Sequence, residues 1–151
     1  MDSPSIAIIG RSQDTVNYER ALRHIGISSF TTLDPEQCAE CTGLLLPGGG
    51  DITPAFFGQQ NHGSRHIDTE LDILQFQALD LFVKWGRPVL GICKGMQLIN
   101  VHFGASICQH IKNASIHQWN GKDQHHYVYH TGCSRTDFFY QLYGNSAFVN
   151  S

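Results

Sequence analysis

Gly91-Ile92-Cys93-Lys94-Gly95 is the stretch whose residue types and spacing carry the most chemistry in this chain. Apolar Pro88-Val89-Leu90 runs directly into it, and Met96-Gln97-Leu98-Ile99-Asn100-Val101 follows with helical character. Strand, Gly-x-Cys-x-Gly turn and helix make the cysteine version of a nucleophile elbow. Such a turn holds the nucleophile in strained backbone and lifts its side chain off the sheet. The flanking glycines let strand and helix pack with no Cβ between them. The thiol stands at a helix N-terminus, where unpaired N–H groups and the helix dipole stabilise a thiolate. A small buried core cysteine is the competing reading, and it fits a turn between paired glycines less well. Cys93 is therefore the expected catalytic nucleophile.

Pro47-Gly48-Gly49-Gly50-Asp51 is the second stretch, placed after the apolar run Leu44-Leu45-Leu46. Three successive glycines expose backbone N–H groups to whatever sits over the sheet. They make either an anion nest for phosphate or half of an oxyanion hole, whose other donor is the N–H after the nucleophile. A phosphate loop wants a helix opening right after the glycines, and Asp51-Ile52-Thr53-Pro54 does not look like one. Beside an elbow the oxyanion hole is favoured, with Gly49, Gly50 and Lys94 as main-chain donors.

A cysteine nucleophile needs a base, and none of the nine histidines carries a signature of catalysis. His117, His125, His126 and His130 cluster, but their spacing matches no zinc pattern. Cys38-Ala39-Glu40-Cys41 stands alone and reads as two half-buried thiols rather than a redox or zinc motif. No metal and no cofactor are expected.

The elements that position these residues follow from the pattern. Ser5–Gly10, Ile27–Thr32, Thr42–Leu46 and Pro88–Ile92 read as short strands. Asp14–Ile25 reads as an amphipathic helix capped by Asp14 and buried through Val16, Ala21, Leu22 and Ile25. Pro35–Cys41 suits a short helix. Thr69–Trp85 is the longest helix, capped by Asp68 or Thr69, with Asp72 suiting a capping box. A helix runs from the elbow to Phe103. Ile107–Ile111, Tyr127–His130 and Ala147–Asn150 are expected strands, and Thr136–Tyr143 a short helix. Apolar strands alternating with helices predict an open, mainly parallel α/β sheet with helices on both faces. Both glycine turns lie at carboxyl ends of strands, where such sheets bind ligands.

The 151 residues suit a single domain, 1–151. A net charge of −3 leaves no electrostatic footprint for nucleic acid. No apolar run approaches the ~20 residues of a membrane span, so no membrane partner is expected. The N-terminus carries no signal-peptide pattern, and five cysteines is an odd number. Free thiols in a reducing, cytoplasmic setting are expected.

Taken together, Leu44–Pro54 and Pro88–Val101 resemble the class I glutamine amidotransferase-like superfamily, and more narrowly its gamma-glutamyl hydrolase branch, which includes gamma-glutamyl-gamma-aminobutyrate hydrolases. Asp68–Asp72 and Phe103–Gln109 fit the same pattern. The resemblance implies a flavodoxin-like fold and a Cys-His-Glu triad. It places the nucleophile on Cys93, the oxyanion donors on Gly49 or Gly50 and Lys94, and a contact to the glutamyl part of the substrate on Gln97. The family's triad histidine follows a Val-Asn-Ser motif, and here Val149-Asn150-Ser151 are the last residues. The triad His and Glu are thus absent, expected after Ser151, and the segment is expected to be an incomplete domain that turns over poorly by itself. The implied function is hydrolysis of a small gamma-glutamyl amide through a glutamyl-thioester. Two alternatives stand beside it: a glutaminase subunit serving a synthase partner, and a truncated or degenerate non-catalytic binding domain. Leaving-group specificity is expected in loops 56–65 and 116–129, where His117, Trp119, His125, His126 and Tyr127 line the pocket or form a solvent face or a subunit contact. Exposed aromatics would fit a homodimer.

Overall fold

The computed structural model of the chain describes residues 4–112, 125–129 and 138–150. It divides into two compact units, Met1–His110 and Ile111–Ser151.

In the first unit, strands β1 (Ser5–Ile9), β2 (Ser28–Thr32), β3 (Gly43–Leu46) and β4 (Val89–Gly91) form a wholly parallel sheet in the order β2-β1-β3-β4. Helices α1 (Ser12–His24), α2 (Thr69–Lys84) and α3 (Lys94–His102) join or follow them. The chain steps from β1 to β2 in one direction and from β3 to β4 in the other. Right-handed crossovers then put α1 and α2 on opposite faces. The two-residue period of the strands does the rest. Ala7 and Ile9 of β1 and Leu44 and Leu46 of β3 pack with Ala78, Leu79 and Phe82 of α2 and with Leu98 and Val101 of α3. Ile8 and Leu45 are buried as well, as a sheet covered on both faces requires. This is the parallel α/β architecture that the pattern predicts.

Several details differ from the sequence reading. Helix α1 starts at Ser12, with Arg11 in the N-cap position and no side-chain cap, so Asp14 lies in the first turn. Its expected apolar face is buried only in part: Val16, Ala21 and Ile25 are exposed, Leu22 is half-buried, and Thr15 is the residue fully buried. The Thr15 methyl fills the space where Gly10 lacks a Cβ, and the Thr15 hydroxyl donates to Glu19 at 2.9 Å. Thr31 of β2 donates to the same carboxylate at 2.6 Å. These two bonds, Thr31 first, hold the Glu19 carboxyl below its ordinary value. Polar side chains thus dock α1 on β2, which hydrophobic periodicity does not register. Pro35–Cys38 and Pro54–Phe57 are single 3₁₀ turns, the second one unforeseen. Ile107–Ile111 is not a strand. Gln109 instead turns inward to pin the 59–64 loop, accepting the His62 N–H at 2.8 Å and donating to the Gln60 carbonyl at 2.8 Å.

Helix α2 is capped by Asp68, whose carboxylate accepts the Leu71 N–H at 3.1 Å and the Arg11 guanidinium at 2.8 Å. The Arg11 hydrogen bond, then the Leu71 N–H, hold Asp68 below the usual carboxylate range. A carboxylate with a lowered folded-state value adds stability above its unfolded value of about 3.9, and that stability is lost as pH falls through the folded value. Asp68→Ala is expected to cost about 1 kcal/mol at pH 7, the weight of a helix cap; the half-exposed ion pair adds little. Urea melts at pH 7 and pH 3 check this, with the gap to the parent narrowing at the lower pH. The expected capping box does not form, because Asp72 turns into the interior instead, where it is fully buried.

The second unit pairs β5 (His125–Tyr129) with β6 (Ser146–Asn150) antiparallel, in the register Tyr127↔Phe148. Helix α4 (Phe138–Tyr143) precedes β6. The Tyr127 and Phe148 rings meet across the pair in a tilted contact, with centroids 4.9 Å apart and planes inclined by 48°. The 125–129 part of the expected specificity loop is thus strand. His117, Trp119 and His130, with residues 136–137 of the expected helix, lie outside the described residues.

Candidate functional site

Cys93 occupies the junction of β4 and α3 with φ 54° and ψ −106°. That is a conformation a side-chain-bearing residue seldom adopts, and it costs of order 1–3 kcal/mol. Packing enforces it. A Cβ on Gly91 would stand 2.5 Å from the Gly95 carbonyl carbon, and one on Gly95 would collide with the Leu46 carbonyl oxygen. Helix α3 can press its first turn onto β3 and β4 only with glycine at both places. The Ile92 N–H donates to Leu46 O at 3.0 Å and the Gly95 N–H to Ile92 O at 2.9 Å, which closes the turn. The Cys93 thiol emerges exposed, as an elbow requires. Gln97, half-buried, sits one turn along, its N–H donating to Cys93 O at 3.2 Å.

The glycine loop lies against this turn. A Cβ on Gly48 would be 3.4 Å from the Cys93 Cβ, and one on Gly49 would be 3.4 Å from the Lys94 Cδ. The loop's N–H groups divide into two sets. Gly48 donates to Tyr18 Oη at 2.9 Å, Asp51 to Arg65 O at 3.0 Å and Thr53 to Asp72 at 2.8 Å. The N–H groups of Gly49, Gly50 and Lys94 have no partner among the described residues. Backbone donors without a protein partner are free to bind a ligand atom that accepts hydrogen bonds. They are the three donors the sequence pattern singles out.

Sequence reasoning did not find what lies beneath. The Lys94 side chain is buried, and its Nζ is 2.5 Å from Asp72 Oδ1. Asp72 Oδ2 takes the Thr53 N–H and, at 2.6 Å, the Thr53 hydroxyl. Tyr18, from α1, is the other unforeseen support of the loop. Tyr18→Phe leaves the Gly48 N–H without a partner and is expected to cost about 1 kcal/mol, read from the urea midpoint at constant m-value. Behind the loop, at the carboxyl ends of β1 and β3, a cavity of about 180 Å³ is lined in part by Gly10, Thr15, Gly49, Gln75 and Lys94. It marks the point where the connections change faces, the position of ligand crevices in open α/β sheets.

No histidine is hydrogen-bonded to the Cys93 thiol among the described residues. Among them, too, no cluster of three His, Cys, Asp or Glu side chains could hold a metal ion, and no helix is long and apolar enough to cross a membrane. Cys38 and Cys41 are both buried. Burial, then the neighbouring Cys41, pushes the Cys38 thiol up to about 11.

A parallel sheet with an exposed cysteine in a Gly-x-Cys-x-Gly elbow beside a glycine loop defines a glutamine amidotransferase-like domain. The chain belongs to the peptidase C26 family, whose pattern matches residues 29–151. It is 34% identical over 105 residues to imidazole glycerol phosphate synthase subunit HisH of Corynebacterium efficiens, covering 69% of this chain and 43% of that protein. A Schizosaccharomyces pombe protein assigned as a glutamine amidotransferase is 26% identical across 100% of this chain and 63% of its own length. The chain thus spans less than two thirds of either relative. Among solved structures, a Thermoplasma acidophilum protein assigned as one of the subunits of GMP synthase superposes with a TM-score of 0.51 at 24% identity, covering 70% of this chain and 48% of that one. That likeness speaks to fold alone.

Proposed function

We propose that the protein hydrolyses the γ-glutamyl amide bond of a small γ-glutamyl compound, with Cys93 as nucleophile. The observation that carries this is the exposed, strained Cys93 beside three N–H groups, on Gly49, Gly50 and Lys94, that have no partner among the described residues. The thiolate attacks the γ-carbonyl carbon, and the carbonyl oxygen takes the negative charge toward those donors. The amine leaves with the proton that came from the thiol. Water then adds to the thioester, and glutamate departs. Gln97, one turn from Cys93, is proposed to hold the glutamyl moiety. The base that carries the proton is proposed to be a histidine, oriented by a glutamate, beyond the Val149-Asn150-Ser151 stretch. The two units are proposed to belong to one amidotransferase-like domain, since the family pattern spans both.

A second reading has its own support. Two relatives, from Corynebacterium efficiens and Corynebacterium glutamicum, are named as subunits of a synthase. Under it the protein releases ammonia from glutamine for a partner enzyme. Glutamate release from a panel of γ-glutamyl amides and from glutamine separates the two. Faster turnover of amides of small amines supports the hydrolase. Glutamine as the best substrate, with a rate that rises when a synthase is added, supports the synthase-linked glutaminase. No turnover of either, with Cys93 no more reactive than an ordinary surface thiol, would leave a binding domain.

A further inference from the structure

We infer that Asp72 is a positioning residue that sets the distance between the two halves of the oxyanion hole. The inference rests on the hydrolase reading for its catalytic consequence, but not for the mechanical coupling itself. One half, the Lys94 N–H, belongs to the elbow. The other, on Gly49 and Gly50, belongs to the loop after β3. The pairing of β3 with β4, ending in the Ile92 N–H bond to Leu46 O, joins these two segments at their base. Asp72 adds a second tie beyond the strands, from a third element, α2. It is 0% exposed. Its Oδ1 faces the Lys94 ammonium at 2.5 Å, and its Oδ2 accepts both the N–H and the hydroxyl of Thr53, at 2.8 Å and 2.6 Å. Thr53 is further tied to α2 through Thr69, hydroxyl to hydroxyl at 2.9 Å. One carboxylate thus grips the residue after the nucleophile with one oxygen and the trailing end of the glycine loop with the other.

The chemistry explains why a charge is kept there. A buried ion pair is a poor way to gain stability, since desolvation offsets most of the attraction. It is a good way to fix a distance, because each partner tolerates only the geometry that satisfies the other. Oxyanion donors act only when both lie within hydrogen-bond reach of one developing charge, and a displacement of about 1 Å costs on the order of 10²-fold in rate. Lys94 therefore has two separable tasks: its main chain faces the reacting oxygen, and its side chain ties the elbow to α2.

The test compares the parent protein with Asp72→Asn and Thr53→Val. Asp72→Asn keeps an acceptor for Thr53 but releases Lys94. Thr53→Val removes the hydroxyl link alone and keeps the protein folded if the first variant does not fold. Two readouts are taken on protein whose urea melt shows one cooperative transition. In hydrogen exchange, peptides covering 47–54 and 92–97 should both exchange faster in the variants, while those covering β1 and β2 stay unchanged. In turnover, kcat should fall about 10²-fold for Asp72→Asn and several-fold for Thr53→Val, with KM within about threefold, the signature of a contact made only in the transition state. Exchange that changes at 47–54 but not at 92–97, or a kcat equal to the parent's, overturns the inference. No turnover by a protein that carries the proposed histidine and glutamate overturns the hydrolase reading instead, while the exchange data still decide the coupling.

Discussion

Replacing Cys93 with alanine is expected to lower γ-glutamyl amide hydrolysis by roughly 10⁴- to 10⁶-fold in kcat, the scale on which deleting a covalent nucleophile acts. The substitution removes an exposed thiol held in strained backbone beside the glycine loop. Nothing else in the turn can form the thioester, so the residual rate reflects only positioning and charge stabilisation. Stability is expected to change little. A φ of 54° is no easier for alanine than for cysteine, but a polar thiol on the surface contributes nothing to the core. The urea midpoint should therefore stay close to the parent's. Binding of a γ-glutamyl amide, followed by calorimetry, should survive within about tenfold. Substantial turnover in a purified, correctly sequenced variant would rule out the covalent route.

Lys94→Met carries the largest expected effect on stability. It keeps the length and apolar stem of the side chain but removes the ammonium, and so leaves the Asp72 carboxylate buried with no counter-charge. Breaking a buried pair from one side costs about 3–5 kcal/mol, which for a chain of this size is a fall of about 10 °C in Tm. Adding Asp72→Asn should restore a large part of the loss, because the orphaned charge is gone and Thr53 keeps an acceptor. A double-mutant cycle by thermal melting measures the coupling. Additive losses would mean that the two side chains do not depend on each other. Catalysis is expected to stay impaired in the double variant even where stability recovers, since neither replacement rebuilds the link between loop and elbow.

What could be read in the sequence was what is local. The elbow is encoded within five residues, Gly91 to Gly95, and the reason for both glycines is found in atoms of the same turn and of the strand beside it. The apolar runs at β1, β3 and β4 and the long apolar pattern of α2 placed the sheet and its cover. What stayed hidden was chosen by partners distant in sequence. Thr69-Glu70-Leu71-Asp72 has the spacing of a capping box, and nothing within that window reveals that a lysine of the elbow and a threonine before α2 claim the carboxylate instead. Tyr18 lies on a helix whose hydrophobic pattern pointed to Val16 and Ile25, whereas a threonine and a glutamate hold the helix down. Ile107–Ile111 has the composition of a strand, but the side chain of Gln109 ties it to another loop. A better sequence signal did exist for one of these. Lys94 follows the nucleophile directly, in a turn whose glycines let strand and helix pack closely, and a lysine buried by such packing calls for an acid in reach.

The central claim is that Cys93 is an activated nucleophile in a glutamyl-shaped site. The most direct measurement is peptide mapping after brief exposure to a diazoketone analogue of glutamine at pH 8, beside a parallel sample treated with iodoacetamide. Iodoacetamide should mark the exposed thiols Cys93 and Cys108 and spare Cys38, which burial holds at about 11. The glutamine analogue should mark Cys93 alone, and excess glutamate should protect it. Equal labelling of Cys93 and Cys108 by the analogue, with no protection, would contradict the account.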